Sequence, residues 1–157
     1  VSERGAPRRT YEAGGFTLVE AVVVVAVLGL LAAVTVPAAA TAEARAGARS
    51  AACQFALVLR EAQALAQAHG HVVAVRLGER NARYSVTETI DGQLVPVDSG
   101  CLSAVTWTTN YPQATVEFSA KGWPCSVVTH APRAGTFTFG GGTHEVVVQL
   151  AGRIRWQ

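Results

Sequence analysis

Three cysteines, four histidines, a few spaced carboxylates and a C-terminal pair of arginines are the side chains through which this chain could do chemistry. Cys53, Cys101 and Cys125 include no C-x-x-C pair, and their spacing does not match a structural zinc site. His69 and His71 flank Gly70 and could hold a metal ion, although a histidine at a helix end more often satisfies the last carbonyls; His130 and His144 are scattered. No serine or cysteine is marked by the sequence as having a histidine base and an orienting carboxylate. Glu88, Asp91 and Asp98 read as solvated loop charges rather than a general acid/base pair. Arg153 and Arg155 would project to the same side of a strand, with Ile154 and Trp156 on the other, which by itself describes a solvated face over a buried one. No catalytic residue, metal-ligand set or cofactor is expected.

The elements that must carry these residues follow from periodicity. Phe55, Val58, Leu59, Ala62, Leu65 and Ala66 recur at helical spacing, with Arg60, Gln63 and Gln67 on the other side, and His69-Gly70 supplies a stop. The Ala-rich stretch before them favours helix as well, so one helix is expected over residues 16–69. After Gly70 the period changes to two. Val72–Leu77, 83–88, 104–108, 114–118, Gly135–Phe139, 145–150 and 153–156 read as strands rich in Val, Thr and aromatics. Gly140-Gly141-Gly142 reads as a hairpin loop. It is not a phosphate cradle, since no Gly-Lys-Ser/Thr follows and no helix opens there.

The chain has 157 residues, 50% hydrophobic and only 15% charged, with net charge +2. About 25% charged would be ordinary for a soluble domain. Residues 21–34 hold no charge at all, so the apolar excess is concentrated in one span after a short leader containing Arg4, Arg8 and Arg9. No segment is a polycation, and attraction of the whole domain to nucleic acid is not implied. A basic leader before an apolar run, followed by Ala38-Ala39-Ala40, has the outline of an ordinary signal peptide. Two features argue otherwise. Residues 16–40 would make a helix of roughly 37 Å at ~1.5 Å per residue, long for a signal core. Glu20, near its start, would cost about 2.5–3.5 kcal/mol at the bilayer centre. The arginines place the leader on the cytoplasmic side and everything after residue 40 outside. In such an exported domain disulfides are permitted. Cys101 and Cys125, each beside a turn residue (Gly100, Pro124), are the expected pair, closing a loop worth about 3 kcal/mol in the chain-entropy model, with Cys53 a half-buried free thiol.

Gly15-Phe16-Thr17-Leu18-Val19-Glu20, after a basic leader and before an apolar helix, resembles the class III signal of type IV pilins and type II secretion pseudopilins. The run from Phe55 to Gly70 into Val72-Val73-Ala74-Val75 is similar to the GspH/FimT branch. So are Phe118, Gly135-Thr136-Phe137, Val146–Val148 and Gly152-Arg153-Ile154-Arg155, while nothing between Asn81 and Tyr111 is recognisable. The resemblance implies an α+β pilin fold: a long N-terminal helix, transmembrane then amphipathic, packed on a small antiparallel β-domain. Its segments are a leader (1–15), a membrane or filament-core helix (16–40), an amphipathic continuation (41–69) and a periplasmic β-domain (70–157). It further implies cleavage by prepilin peptidase between Gly15 and Phe16, N-methylation of Phe16, and a kink at Pro37. Glu20 would neutralise the N-terminal amine of a neighbouring subunit. The implied partners are other pilins or pseudopilins, the peptidase and the bacterial inner membrane. The product is a structural and assembly subunit, not an enzyme, of a pilus or pseudopilus. As an alternative, the Gly-Arg-x-Arg motif resembles that of DNA-binding minor pilins of natural transformation: Arg153 and Arg155 would clamp phosphates and Trp156 would stack on a base. Two such contacts give a salt slope of only about −1.8 on duplex DNA.

Overall fold

The computed structural model describes residues 17–78, 82–103 and 105–157, apart from the side chains of Val34 and Pro37. Gly15 and Phe16 therefore lie outside the described residues, as does the Pro37 side chain. Helix α1 (Leu18–His69) is continuous through the Pro37 backbone. Thr17 caps it: its Oγ1 accepts the Glu20 amide N–H at 3.3 Å, and Glu20 is the acidic residue of the first turn. A threonine cap with glutamate at the third helical position is the capping-box arrangement, and the carboxylate there meets the positive end of the helix dipole.

The chain divides after Ala39 into two units. In the first, every described side chain from residue 18 to 39 is exposed, including Leu18, Val25 and Leu30, although the span is long and apolar enough to cross a membrane. In the second, Ala40–Gln157, the rest of α1 has one buried stripe: Ala48, Ala51, Ala52, Phe55, Ala56, Leu59, Ala62 and Ala66. These positions follow the three-and-four spacing of one helix face. Val58 and Leu65 are only half-buried at its margin. Gly70, at φ +73°, ends the helix in the left-handed conformation, its N–H donating to the Ala66 carbonyl at 3.0 Å.

Nine strands follow among the described residues, all paired antiparallel, in two sheets. β1 (Val72–Leu77), β2 (Arg83–Ile90), β3 (Gln93–Cys101), β5 (Thr115–Phe118) and β6 (Pro124–Ser126) form the first, in the order β3-β2-β1-β5-β6. β4 (Trp107–Thr109), β7 (Gly135–Phe139), β8 (His144–Val148) and β9 (Ile154–Trp156) form the second, in the order β4-β7-β8-β9. Phe55 joins α1 to the second sheet, meeting Phe137 and Phe139 edge-on at 4.8 and 5.9 Å, while Tyr111 stacks on Phe137 at 5.4 Å. Val73, Val75, Val116, Phe118, Val146, Val148 and Ile154 complete the core.

Most expected strands are present with shifted ends. β4 starts at Trp107, residues 112–114 form a 3-10 turn, and Gln149 and Leu150 lie in the turn after β8. β3 and β6 were not expected. β3 is an edge strand, mostly exposed, and interrupted by Pro96, Asp98 and Gly100, so it shows no alternation. Its hairpin with β2 turns on Asp91 and Gly92, both at positive φ (50° and 76°), the pattern of a two-residue type I′ turn. Counting pairs from that turn puts Pro96, opposite Thr87, at a position whose missing N–H faces the free edge of the sheet, where a proline is tolerated.

The cysteine pairing requires correction. Cys53, Cys101 and Cys125 are all free thiols. Cys101 ends β3 and Cys125 sits in β6, the two outer strands of the first sheet, with β2, β1 and β5 between them. Four strand spacings of about 4.8 Å give roughly 19 Å, far beyond the reach of a disulfide.

Candidate functional site

β9 carries Arg155, and Arg153 immediately precedes the strand, its carbonyl accepting the Gln149 N–H at 2.9 Å. Ile154 is buried and Trp156 half-buried, while Arg153 and Arg155 are exposed. β9 pairs with β8 through Val148–Ile154, Val147–Arg155 and Val146–Trp156, so Arg153 and Arg155 share the outer face of the second sheet with Val147 and Glu145. Neither arginine forms an ion pair among the described residues. Trp156 is committed to the fold: the Arg49 guanidinium of α1 lies 5.8 Å from its ring centroid. The ring expected to stack on a base is half-buried.

Gly152, the first residue of the motif, is fixed by geometry rather than by ligand chemistry. Its φ is +79°, and a Cβ there would lie 2.6 Å from Gln63 Nε2 and 2.7 Å from the Gly122 carbonyl oxygen. Gln63 Nε2 donates to the carbonyls of both Gly122 (2.7 Å) and Gly152 (2.8 Å), and Gln67 Nε2 donates to the Lys121 carbonyl at 3.3 Å. Arg60 donates to the Ile154 carbonyl at 3.1 Å. Arg60, Gln63 and Gln67, expected to face away from the sheets, instead tie the polar flank of α1 to two turns and to β9. Polar side chains at the margin of an apolar stripe can do this because a buried carbonyl must find a donor.

The histidines form two further clusters. His69 Nδ1 and His71 Nδ1 each lie 2.9 Å from the same Glu88 oxygen, and His130 Nδ1 lies 2.9 Å from Glu117 Oε2. Glu88 is therefore not a solvated loop charge. It is buried in β2, and the hydrogen bond from His69, joined by that from His71, lowers its carboxyl below the usual range against the opposing effect of burial. Asp98 accepts from the Tyr84 hydroxyl at 3.2 Å. Alternation along β2 could have flagged Glu88, which shares a face with buried Val86. The histidines that make its burial tolerable come from the other end of the helix–strand junction, and no sequence spacing announces that.

The Cys125 thiol is pushed up by burial and by Glu117 nearby. Burial likewise raises the Tyr111 hydroxyl, which donates to the Arg133 carbonyl at 3.0 Å. Among the described residues, Arg76 is the one ionisable group lining the open cleft beside β1 and β4. No group of three or more His, Cys, Asp or Glu side chains is placed to hold a metal ion among the described residues.

No protein-family model matches the chain, and no curated protein matches it in sequence. Solved structures do. The type IV minor pilin FimU of Pseudomonas aeruginosa strain PAO1 superposes with TM-score 0.57 at 19% identity, covering 69% of this chain and 91% of that one. The minor pseudopilin EpsH from the type 2 secretion system of Vibrio cholerae superposes with TM-score 0.56 at 14% identity, covering 70% and 94%. A further EpsH structure gives TM-score 0.58 at 11% identity over 72% and 97%. The expected α+β architecture, one long N-terminal helix on antiparallel sheets, is the architecture found, and the chain has the fold of type IV minor pilins and type II secretion minor pseudopilins.

Proposed function

We propose that this chain is a minor subunit of a type IV pilus or a type II secretion pseudopilus. The observation that carries this, beyond the fold, is the first unit of α1. Its large apolar side chains among the described residues, from Leu18 to Leu31, are exposed, and lipid or neighbouring helices would cover them. The subunit is cleaved by prepilin peptidase between Gly15 and Phe16 and N-methylated at Phe16. It is held in the inner membrane by this span with residues 70–157 in the periplasm. On assembly Glu20 meets the N-terminal amine of a neighbouring subunit, and Pro37 loosens the helix. Co-expression with and without an active prepilin peptidase tests this, reading the mature N-terminus of the membrane-fraction protein by mass spectrometry. An N-terminal methyl-Phe16 is expected; a mature chain starting at Thr41, or one unaffected by the peptidase, refutes it.

A second reading is supported by Arg153 and Arg155, both exposed and without ion pairs among the described residues. On this reading the subunit also binds DNA through phosphate contacts in natural transformation. Retention of DNA over a salt series, wild type against Arg153→Ala/Arg155→Ala, tests it. Unchanged retention, or none at low salt, removes it.

A further inference from the structure

The two turns tied together by Gln63 present more than a backbone contact. The first, residues 119–123, is closed by the Ser119 N–H donating to the Trp123 carbonyl at 3.0 Å, the Gly122 N–H donating to the Ser119 carbonyl at 2.7 Å, and the Trp123 N–H donating to Ser119 Oγ at 3.2 Å. That closure fixes the backbone at Trp123, whose side chain is nonetheless 50% exposed. The Lys121 ammonium lies 5.9 Å from its ring centroid, so a cation and an aromatic face are presented as one unit. The second turn, residues 149–153, is held by the Gly152 N–H donating to the Gln149 carbonyl at 2.8 Å and leads directly into Arg153. The turns touch at Gly122 and Gly152. They contain Lys121 and Arg153 and no carboxylate.

We infer that Lys121 and Trp123 extend the Arg153–Arg155 face into a site for single-stranded nucleic acid, with Trp123 as the stacking residue. This rests on the nucleic-acid reading of those two arginines. Lys121 in one turn, Arg153 in the turn that touches it and Arg155 two residues further on supply cations for a phosphate backbone, and the exposed indole of Trp123 on its closed loop offers a platform for a base. Only an unstacked base can reach such a platform, so the site selects single strands over duplex. Trp156 cannot serve, being half-buried against Arg49. Trp123 is exposed at the rim, so replacing it leaves the core intact.

The test uses the full chain in detergent, with fluorescently labelled oligothymidylate, a duplex of the same length, and anionic phosphatidylglycerol vesicles as separate probes. Trp123→Ala is expected to weaken oligothymidylate binding roughly tenfold, the size of one base–aromatic stack, while duplex binding stays within about twofold. Trp123→Phe restores most of the loss. Lys121→Gln lowers the single-strand salt slope by about 0.7, one phosphate contact. Equal oligothymidylate binding by Trp123→Ala and wild type overturns the inference, while a loss confined to Arg153→Ala/Arg155→Ala leaves the arginine reading standing. No binding of either nucleic acid by the wild type at low salt removes both. Trp123-dependent binding to vesicles without binding to nucleic acid assigns the surface to lipid and overturns the inference as well.

Discussion

Gly152→Ala separates what the Gly-Arg-x-Arg segment does for the fold from what it does for a ligand. At φ +79° an alanine adopts the left-handed conformation at a cost of about 1–2 kcal/mol. Its methyl would also sit 2.7 Å from the Gly122 carbonyl oxygen, a backbone atom held in a closed turn. Gln63 Nε2, 2.6 Å away, must swing out and give up one or both of its hydrogen bonds, each worth about 0.5–1.5 kcal/mol. Together these destabilise the β-domain by about 2–4 kcal/mol, a fall in Tm on the order of 10 °C for a unit of this size. The melt should be followed in the near-ultraviolet circular dichroism of the full chain in detergent. That signal reports the packing around Phe55, Tyr111 and Phe137, whereas the far-ultraviolet signal is dominated by a long helix that detergent preserves. Gln63→Ala alone should cost about 1 kcal/mol, and the double variant less than the sum, because the two substitutions disrupt the same contact. An unchanged Tm for Gly152→Ala refutes the reasoning. If nucleic-acid retention is lost while Tm holds, Gly152 is a contact residue after all.

Four other substitutions or treatments have defined outcomes. Phe55→Ala removes a fully buried ring that meets both Phe137 and Phe139, and should cost about 3–5 kcal/mol in urea unfolding; a loss below about 1 kcal/mol would mean the core does not depend on it. Glu88 has its carboxyl pKa lowered in the fold from 4.5, so its contribution is present above that value and is lost as pH falls through the lower folded one. Urea midpoints of wild type and Glu88→Gln should therefore differ most near neutral pH and converge in acid, and a constant offset would contradict the histidine contacts. Alkylation of the native chain should modify exposed Cys101 quickly and buried Cys125 only on unfolding; a cross-linked peptide joining Cys101 to Cys125 in an unreduced digest would restore that pairing. Glu20→Gln keeps a side chain suited to the third helical position but removes the charge, so helix content should persist while incorporation into filaments falls; unimpaired incorporation would leave Glu20 as a capping residue alone.

The parts of this molecule legible in the sequence are those governed by a single local period. The stripe from Phe55 to Ala66 and the alternation of Phe137 and Phe139 with Thr136 and Thr138 follow from side-chain spacing, and the stop at Gly70 from glycine itself. β3 escaped because an edge strand need not alternate. With little buried on it, Pro96 and Gly100 look like loop residues, and the local signal of the hairpin, Asp91-Gly92, is lost when Asp91 is read as a solvated loop charge. β6 escaped through its length of three residues. The candidate surface was half legible: same-face projection of Arg153 and Arg155 is local, whereas the capture of Trp156 by Arg49 and the junction of residues 119–123 with 149–153 depend on contacts across more than fifty residues of chain. The disulfide expectation failed for the same reason, since turn residues beside Cys101 and Cys125 say nothing about which edge of a sheet each strand occupies.

One helix in this chain meets two different requirements, and its composition changes accordingly. Between Glu20 and Thr35 the sequence of the helix is apolar on every face, which suits lipid or a bundle of like helices. From Ala48 to Ala66 the buried face is mostly alanine, with Phe55 and Leu59 as its large members. Small side chains let the helix backbone approach the sheets closely. That approach is what allows Gln63 and Gln67, on the flank, to reach carbonyls in turns that the sheets deliver to the helix margin. The rigidity of those turns is therefore a consequence of the alanine stripe. A bulkier residue at Ala62 or Ala66 would lift the helix and release both turns without touching either, and with them would go the fixed relation of Lys121 and Trp123 to Arg153. The exposed cations number few and the net charge is only +2, so whatever this surface binds, it must do so through where the groups are held rather than through how many there are.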